Sequence, residues 1–152
     1  NTDGYGLQVR NYGPVTLKGI TANDNLEIGV MVYTYNESAA SHTTADLITA
    51  TGNGDTGIYI SNSTTGSTTA RGNITVQNSI TFNNGTGFVG DGMTLRTGGN
   101  VTVKNSAAVG NHGNGLDIDV NLGVSLVTIS NVAYGGNDVN NAPGGQPNLY
   151  VH

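Results

Sequence analysis

The sequence predicts an all-β fold in which three short strands recur in every coil of a solenoid. Three observations lead to this prediction. A five-residue unit of the form Gly-apolar-x-apolar-x occurs again and again, two further apolar alternations follow each full copy, and no helical periodicity lies between them. The chain has 152 residues, 24 glycines and only 10 % charged residues, which is the size of one domain and a composition suited to strands and turns.

The first strand of each coil begins at a glycine. Its copies are GLQVR from Gly6, GVMVY from Gly29, GIYIS from Gly57, GMTLR from Gly92 and GLDID from Gly115, with NLYVH from Asn148 as a further copy. The apolar positions alternate with polar ones, so one set of side chains faces the core and the other faces outward. The predicted outward columns are Gln8, Met31, Tyr59, Thr94, Asp117 and Tyr150, and then Arg10, Tyr33, Ser61, Arg96, Asp119 and His152.

Two more strands complete each coil. The second strands are VTLK from Val15, ADLI from Ala45, ITVQ from Ile74, VTVK from Val101 and VTIS from Val127, and the third strands cover residues 20–22, 50–52, 80–82, 107–109 and 132–134. The turn between them falls at Gly19, Thr49, Asn78, Asn105 and Asn131. Glycine and asparagine tolerate a positive φ, so four of these five positions predict a sharp left-handed bend, and Thr49 departs from the pattern.

By these repeats and this turn, the chain resembles the right-handed parallel β-helix superfamily that includes pectate lyases, alginate epimerases, phage tailspikes and surface adhesins. The resemblance implies a single-stranded solenoid over residues 1–152, with about five coils of three short strands each, stacked ~4.8 Å apart. It also implies that a substrate groove, where one exists, lies on the outer face of the first sheet. The superfamily contains both enzymes and scaffolds, so the resemblance specifies the fold more than the function.

Composition excludes several classes of partner. The net charge is -5 with only five lysines and arginines, so no basic patch for nucleic acid is available. The chain has no cysteine, which excludes a disulfide framework and thiolate metal ligands. No apolar run approaches the ~18 residues of a membrane span, so membrane insertion is not expected.

The candidate site lies on the outer face of the first sheet. Tyr33 and Tyr59 would stack against sugar rings, Arg96 would act as a base or bind a carboxylate, and Asp117 and Asp119 would serve as acids or cation ligands. The alternative is structural, with Arg96 and Asp119 forming an ion pair beside ordinary exposed aromatics. No catalytic residue is assigned, because two aspartates with one arginine fall short of the carboxylate cluster expected of a lyase, and the epimerase-like Asp-Pro-His-Glu run is absent.

Metal sites are weakly supported by the sequence, and no resident cofactor is predicted. Asp24, Asp55 and Asp91 precede the first strand in successive coils and could jointly bind Ca²⁺, although isolated loop aspartates more often form Asx turns. The histidines, His42, His112 and His152, have no ligand spacing, so a zinc site is not expected.

Asn-x-Ser/Thr sequons occur at Asn36, Asn62, Asn73, Asn84 and Asn100. They are candidate glycosylation sites in a surface protein, but an Asn-, Ser- and Thr-rich chain produces such triplets by chance. Asn36 and Asn62 are favoured, because both fall in loops rich in Ser and Thr.

We therefore expect a non-enzymatic extracellular or cell-surface scaffold, such as a segment of an adhesin, stalk or filament. The first strand begins almost at once and the last copy ends in the same sheet, which suggests end-to-end β-helix neighbours, either further coils of a longer chain or other subunits. The alternative is a polysaccharide-active enzyme, lyase- or epimerase-like, or a carbohydrate-binding module that uses the outer face of the first sheet.

Overall fold

The computed structural model describes residues 4–35, 41–62, 72–87, 89–120, 125–137 and 149–152. Within these ranges no residue is helical, and the chain is all-β. The strands are β1 (Leu7–Asn11), β2 (Val15–Lys18), β3 (Thr21–Asn23), β4 (Val30–Thr34), β5 (Thr43–Asp46), β6 (Thr49–Thr51), β7 (Ile58–Ser61), β8 (Ile74–Gln77), β9 (Ile80–Phe82), β10 (Met93–Arg96), β11 (Val101–Val109), β12 (Leu116–Asp119), β13 (Val127–Gly135) and β14 (Leu149–Val151).

All strand pairings in the described part of the chain are parallel, and they form two sheets. The first sheet has the order β1-β4-β7-β10-β12-β14. The second sheet has two arms. The first arm has the order β2-β5-β8, and β8 pairs with the first half of β11. The second arm has the order β3-β6-β9, and β9 pairs with the second half of β11. Strand β13 pairs along the whole of β11. The chain therefore crosses the first sheet, the first arm and the second arm in turn, and then returns beside its previous strand. We call this circuit a pass.

The parallel, all-β repeat predicted from the sequence is thus confirmed, and it is compatible with a parallel β-solenoid. The inward columns of the first sheet are the reason the passes stack. Val30 and Val32, Ile58 and Ile60, Met93 and Leu95, and Leu116 and Ile118 are fully buried, and each is in register with its counterpart one pass away. Burial of one such aliphatic side chain contributes about 1.5 to 3 kcal/mol.

A left-handed residue makes the bend between the two arms in each pass. These residues are Gly19 (φ 66°), Leu47 (φ 57°), Asn78 (φ 51°), Asn105 (φ 49°) and Asn131 (φ 52°). The bend predicted at Thr49 is therefore wrong by two residues. Strand β5 begins at Thr43, in register with Val15, so the bend falls at Leu47 and Thr49 already belongs to the next strand.

A second left-handed residue ends the second arm, always five positions after the first. It is Asp24 (φ 54°), Gly52 (φ 64°), Asn83 (φ 52°), Gly110 (φ 65°) or Gly136 (φ 58°). This bend was not predicted. It matters because the next residue in each pass turns its side chain into the interior.

That next residue is asparagine in all five passes, and the five side chains form a buried ladder. Its members are Asn25, Asn53, Asn84, Asn111 and Asn137, none more than 8 % exposed. The Nδ2 of each of the first four donates to the Oδ1 of the next asparagine, over 2.8 to 3.0 Å. Each Oδ1 so reached also accepts the backbone N–H of the preceding ladder residue. The ladder thereby satisfies the polar groups that the bend brings inside.

The ladder explains why a glycine opens each first-sheet strand. A Cβ on Gly29 would lie 2.7 Å from Asn53 Nδ2, and one on Gly57 would lie 2.6 Å from Asn84 Nδ2. Contacts under 3.0 Å are not tolerated by real Cβ atoms, and each of these glycines also faces the carbonyl oxygen of the next glycine in the column. The Gly of the sequence repeat therefore makes room for the buried asparagines.

Candidate functional site

The outer face of the first sheet brings together the residues predicted for the site. Tyr33, Ser61, Arg96 and Asp119 are aligned in one outward column by the strand register. The neighbouring column contains Tyr59, and its members Met31, Thr94 and Asp117 are buried although they point away from the core, whereas Gln8 and Tyr150 at its two ends are exposed. The accessible surface of this face therefore lies along the Tyr33 to Asp119 column and around Tyr59.

Four tyrosines form a continuous line of rings on this face, which we call the aromatic track. The ring centroids of Tyr12 and Tyr35 are 5.6 Å apart, those of Tyr35 and Tyr33 are 6.2 Å apart and nearly parallel at 14°, and those of Tyr33 and Tyr59 are 5.4 Å apart. Tyr12 is 74 % exposed, so the track opens to solvent at that end. Only Tyr33 and Tyr59 were predicted. Tyr12 and Tyr35 lie just beyond the strand ends, where alternation no longer assigns a direction.

Arg96 extends the track by one further step. Its guanidinium carbon lies 5.6 Å from the centre of the Tyr59 ring, and Nη1 donates to the Tyr59 hydroxyl at 3.4 Å. The ion pair predicted between Arg96 and Asp119 is thus replaced, within the described residues, by a cation–π contact. Burial raises the pKa of Tyr33, and a hydrogen bond with Tyr59 raises it further, so the Tyr33 hydroxyl is a neutral hydrogen-bonding group at physiological pH.

Three neighbouring carboxylates lie at the Arg96 end of the track. They belong to Asp91, Asp117 and Asp119, and we call them the acidic end. Asp119 Oδ2 lies 3.7 Å from His152 Nε2, and Asp117 Oδ1 lies 3.7 Å from His152 Nδ1. Asp117 is only 8 % exposed, and its Oδ1 has no hydrogen-bond partner among the described residues. Burial, followed by the negative charge of Asp91, raises the pKa of Asp117.

Asp91 was predicted only as a calcium ligand, but it is the inner member of the acidic end. Its Oδ2 accepts the hydroxyl proton of Thr94 at 2.8 Å, and its Oδ1 accepts the backbone N–H of Asn114 at 2.7 Å. Burial raises the pKa of Asp91 despite these two hydrogen bonds, which act in the opposite direction. Asp91 and Asp117 are therefore carboxyl groups that hold a proton to higher pH than usual.

The three aspartates of the calcium hypothesis are not brought together as a set. Asp24 occupies the left-handed bend beside Gly52, whereas Asp55 pairs through its backbone with Glu27. Asp55 Oδ1 also accepts the N–H of Thr56 at 2.7 Å, as in a local turn. The described residues contain no group of three or more histidines and acids placed to hold a metal ion.

The histidines lie in three separate places. His42 Nδ1 accepts the N–H of Asn73 at 3.0 Å, where the first arm begins, and His112 Nδ1 lies 2.8 Å from the Gly85 carbonyl oxygen. Only His152 reaches the outer face of the first sheet. Strand alternation places it in the outward column, but its sequence context indicates no role for it.

The sequons occupy different environments. Asn62 and Asn84 are fully buried, and their amide nitrogens donate to Gly72 and Ala50 carbonyl oxygens, so the packing leaves no room for a glycan on either amide. Asn100 is exposed and Asn73 is half-buried. Asn36 lies outside the described residues. Of the two favoured sequons, one is therefore an internal hydrogen-bonding group.

Comparison of the chain with protein-family models, with curated proteins and with solved structures finds no match. Across the described ranges, the structure has no helix of the length and apolarity that crossing a membrane requires.

Proposed function

We propose that this chain is part of an extracellular right-handed parallel β-helix of about five coils, a non-enzymatic scaffold that binds a polysaccharide along the outer face of its first sheet. Each pass would be one coil, because three strand segments and two left-handed bends recur in register from pass to pass. The observation that carries the binding proposal is the aromatic track, which continues through Arg96 into the acidic end.

The direction of the track favours a long ligand over a small one. Its rings come from three neighbouring passes, with Tyr12 after β1, Tyr33 and Tyr35 in and just after β4, and Tyr59 in β7. The line therefore crosses from strand to strand, with ring separations of 5.4 to 6.2 Å. Tyrosine offers an apolar ring face together with a hydroxyl, which suits a ligand that is itself both apolar and hydroxylated. Arg96 and Asp119 supply accessible polar groups in the same column, as sugar hydroxyls require.

Isothermal titration with a panel of neutral and acidic polysaccharides tests the proposal. Replacement of Tyr33 or Tyr59 by alanine is expected to weaken binding about two- to tenfold, the range of an aromatic contact. Phe82→Ala is the matched control, because Phe82 is also exposed but lies in β9, on the second arm. Equal losses in all three variants, or binding to no polysaccharide, would refute the proposed site.

A second candidate function is cleavage of the bound polysaccharide, and the acidic end favours it. A carboxyl whose pKa is raised by burial, such as Asp117, is a candidate general acid, and Asp119 supplies a second carboxyl two residues further along β12. The assay measures new reducing ends and unsaturated products after incubation with the same polysaccharides. Product release that disappears in Asp117→Asn would replace the non-enzymatic scaffold by an enzyme.

The proposal includes end-to-end neighbours on the outer passes. Inward side chains that are fully buried in the middle passes remain partly exposed in β1 and β13, as for Leu7, Val9, Val127 and Ile129. Further coils of the same chain or a second copy would cover this apolar surface. Concentration-dependent sedimentation distinguishes the two sources, because only a second copy gives association that rises with concentration.

A further inference from the structure

The contact between strand β14 and strand β12 includes one histidine that faces two carboxylates at once. His152 directs its two ring nitrogens at two different carboxylates, Nδ1 at Asp117 and Nε2 at Asp119, each over 3.7 Å. The same residue closes the backbone ladder, because its N–H donates to the Ile118 carbonyl oxygen and its own carbonyl oxygen accepts the N–H of Val120, both at 3.0 Å.

The protonated imidazole matches two ionised carboxylates at this position. An imidazolium has N–H groups on both nitrogens and a positive charge, so it can satisfy both carboxylates. A neutral imidazole keeps one lone pair, which would then face a carboxylate oxygen. Asp117 is nearly buried, and its Oδ1 has no hydrogen bond in the described structure, so loss of the histidine charge would leave a buried anion without its counter-charge.

Apart from its backbone pairing with β12 and the contacts of His152, β14 makes few buried side-chain contacts in the described structure. The strand has three residues, of which Leu149 is half-buried, while Tyr150 and Val151 are 47 % and 45 % exposed. Its register pairs Leu149 with Leu116 and Val151 with Ile118. The packing of a single half-buried leucine contributes little to the docking of β14. The two ion pairs of His152 therefore supply a large share of the side-chain contribution.

We propose that His152 is a protonation-dependent clamp that docks β14 on the edge of the first sheet and releases it when the imidazolium loses its proton. Release uncovers the edge of β12 and opens the acidic end to solvent or to a ligand. The clamp rests on the contacts of His152 alone and does not require that the face bind a polysaccharide.

The other charged groups that face His152 set the pH window. Asp91 adds negative charge behind Asp117, Arg96 adds positive charge one strand back, and the Tyr150 ring lies 4.7 Å from the imidazole. Histidine side chains in general change charge between about pH 5 and 8, so the clamp is tested over that range. Because the pKa of Asp117 is raised, strong acid also removes an anion that the clamp needs. Docking is therefore strongest in mild acid.

Hydrogen exchange of the full chain, expressed as protection factors at about pH 5.5 and about pH 8, tests the clamp. The Val120 amide reports on β14, and the Asn62 amide, which donates to the Arg96 carbonyl oxygen, reports on the body of the sheet. We expect protection at Val120 to fall at least about tenfold at the higher pH, the equivalent of one pKa unit, while Asn62 is unchanged. A parallel fall at Asn62, or no fall at Val120, would overturn the proposal.

Two variants separate the clamp from ordinary destabilisation. His152→Gln is expected to show low Val120 protection at both pH values, whereas His42→Gln, a control remote from the acidic end, keeps the pH effect. Asp119→Asn retains the histidine and removes one ion pair, so the pH-dependent change at Val120 should shrink. An undiminished pH effect in either His152→Gln or Asp119→Asn would contradict the clamp.

Discussion

Replacement of Asn84 by alanine tests the buried asparagine ladder at its centre. The Asn84 side chain makes four hydrogen bonds. Its Oδ1 accepts the backbone N–H and the Nδ2 of Asn53, at 3.2 and 2.8 Å, and its Nδ2 donates to Ala50 O at 3.0 Å and to Asn111 Oδ1 at 2.9 Å. The residue is fully buried, so water cannot replace any of these partners.

The expected loss of stability in Asn84→Ala follows from these four hydrogen bonds. A net contribution of about 0.5 to 1.5 kcal/mol per hydrogen bond gives a loss of about 2 to 6 kcal/mol in the free energy of unfolding. Domains of this size are commonly stable by about 5 to 15 kcal/mol, so the variant should fold but unfold at a much lower urea concentration. Urea unfolding followed by far-ultraviolet circular dichroism measures the change.

The exposed asparagines at the bends between the two arms, Asn78, Asn105 and Asn131, also bond to one another and supply the matched control. Asn105 donates to Asn78 Oδ1 at 3.4 Å and accepts from Asn131 Nδ2 at 3.0 Å, but it is exposed and has a φ of 49°. Asn105→Gly keeps the left-handed bend, and water replaces the lost bonds, so the change should stay below about 1 kcal/mol. If Asn84→Ala cost no more than Asn105→Gly, the claim that the buried ladder holds the passes together would be refuted.

Three further predictions concern single positions. Gly57→Ala would place a Cβ 2.6 Å from Asn84 Nδ2 and should destabilise the protein by about 1 to 3 kcal/mol in the same urea assay, whereas Gly135→Ala, with no atom within 4 Å, should be nearly neutral. Leu47→Asn should stabilise by about 0.5 to 1 kcal/mol, because Leu47 has a φ of 57° and is 51 % exposed; a loss of stability would show that its side chain packs usefully. Asp117→Asn bears on pH dependence. The raised pKa of Asp117 means that the folded state binds its proton more tightly than the unfolded state, so this group lowers stability as the pH rises through its folded pKa. Thermal midpoints measured against pH should therefore fall less, or rise more, with increasing pH over that acidic range in the variant than in the unmodified protein, and an unchanged pH dependence would contradict this assignment.

The all-β repeat of short parallel strands could be predicted from the sequence, because alternation and glycine spacing are local signals. Strand alternation has a period of two, so it does not fix a strand's position to better than two residues. This is why the bend at Leu47 was predicted at Thr49. A shift of β5 by two residues leaves the same side chains facing inward, so the sequence cannot distinguish Leu47 from Thr49 as the bend. Leucine is a poor left-handed residue, and nothing in its own chemistry marks the position.

The asparagine ladder was overlooked although a signal for it exists. Asn25, Asn53 and Asn111 each precede the repeat glycine by four residues, but an insertion separates Asn84 from Gly92. Abundant asparagine elsewhere in the chain hides this spacing. The ladder becomes evident only when the register places the five side chains above one another.

The candidate site was predicted in outline, but its pairings were not. Alternation correctly placed Tyr33, Tyr59 and Arg96 outward on neighbouring strands. Arg96 had two possible partners, Asp119 directly across and Tyr59 on the diagonal, and the sequence gives no basis for choosing the diagonal. In the structure Asp119 faces His152, and Arg96 covers the Tyr59 ring.

The central claim is that a polysaccharide lies lengthwise on the aromatic track, and the dependence of affinity on ligand length tests it most directly. Oligosaccharides of increasing length, prepared from the polysaccharide that binds best, are titrated into the protein. Affinity should rise with each added sugar until the ligand spans Tyr12 to Arg96, and then level off. Equal affinity for the shortest and longest oligosaccharides, or no binding at any length, would contradict lengthwise binding on this face.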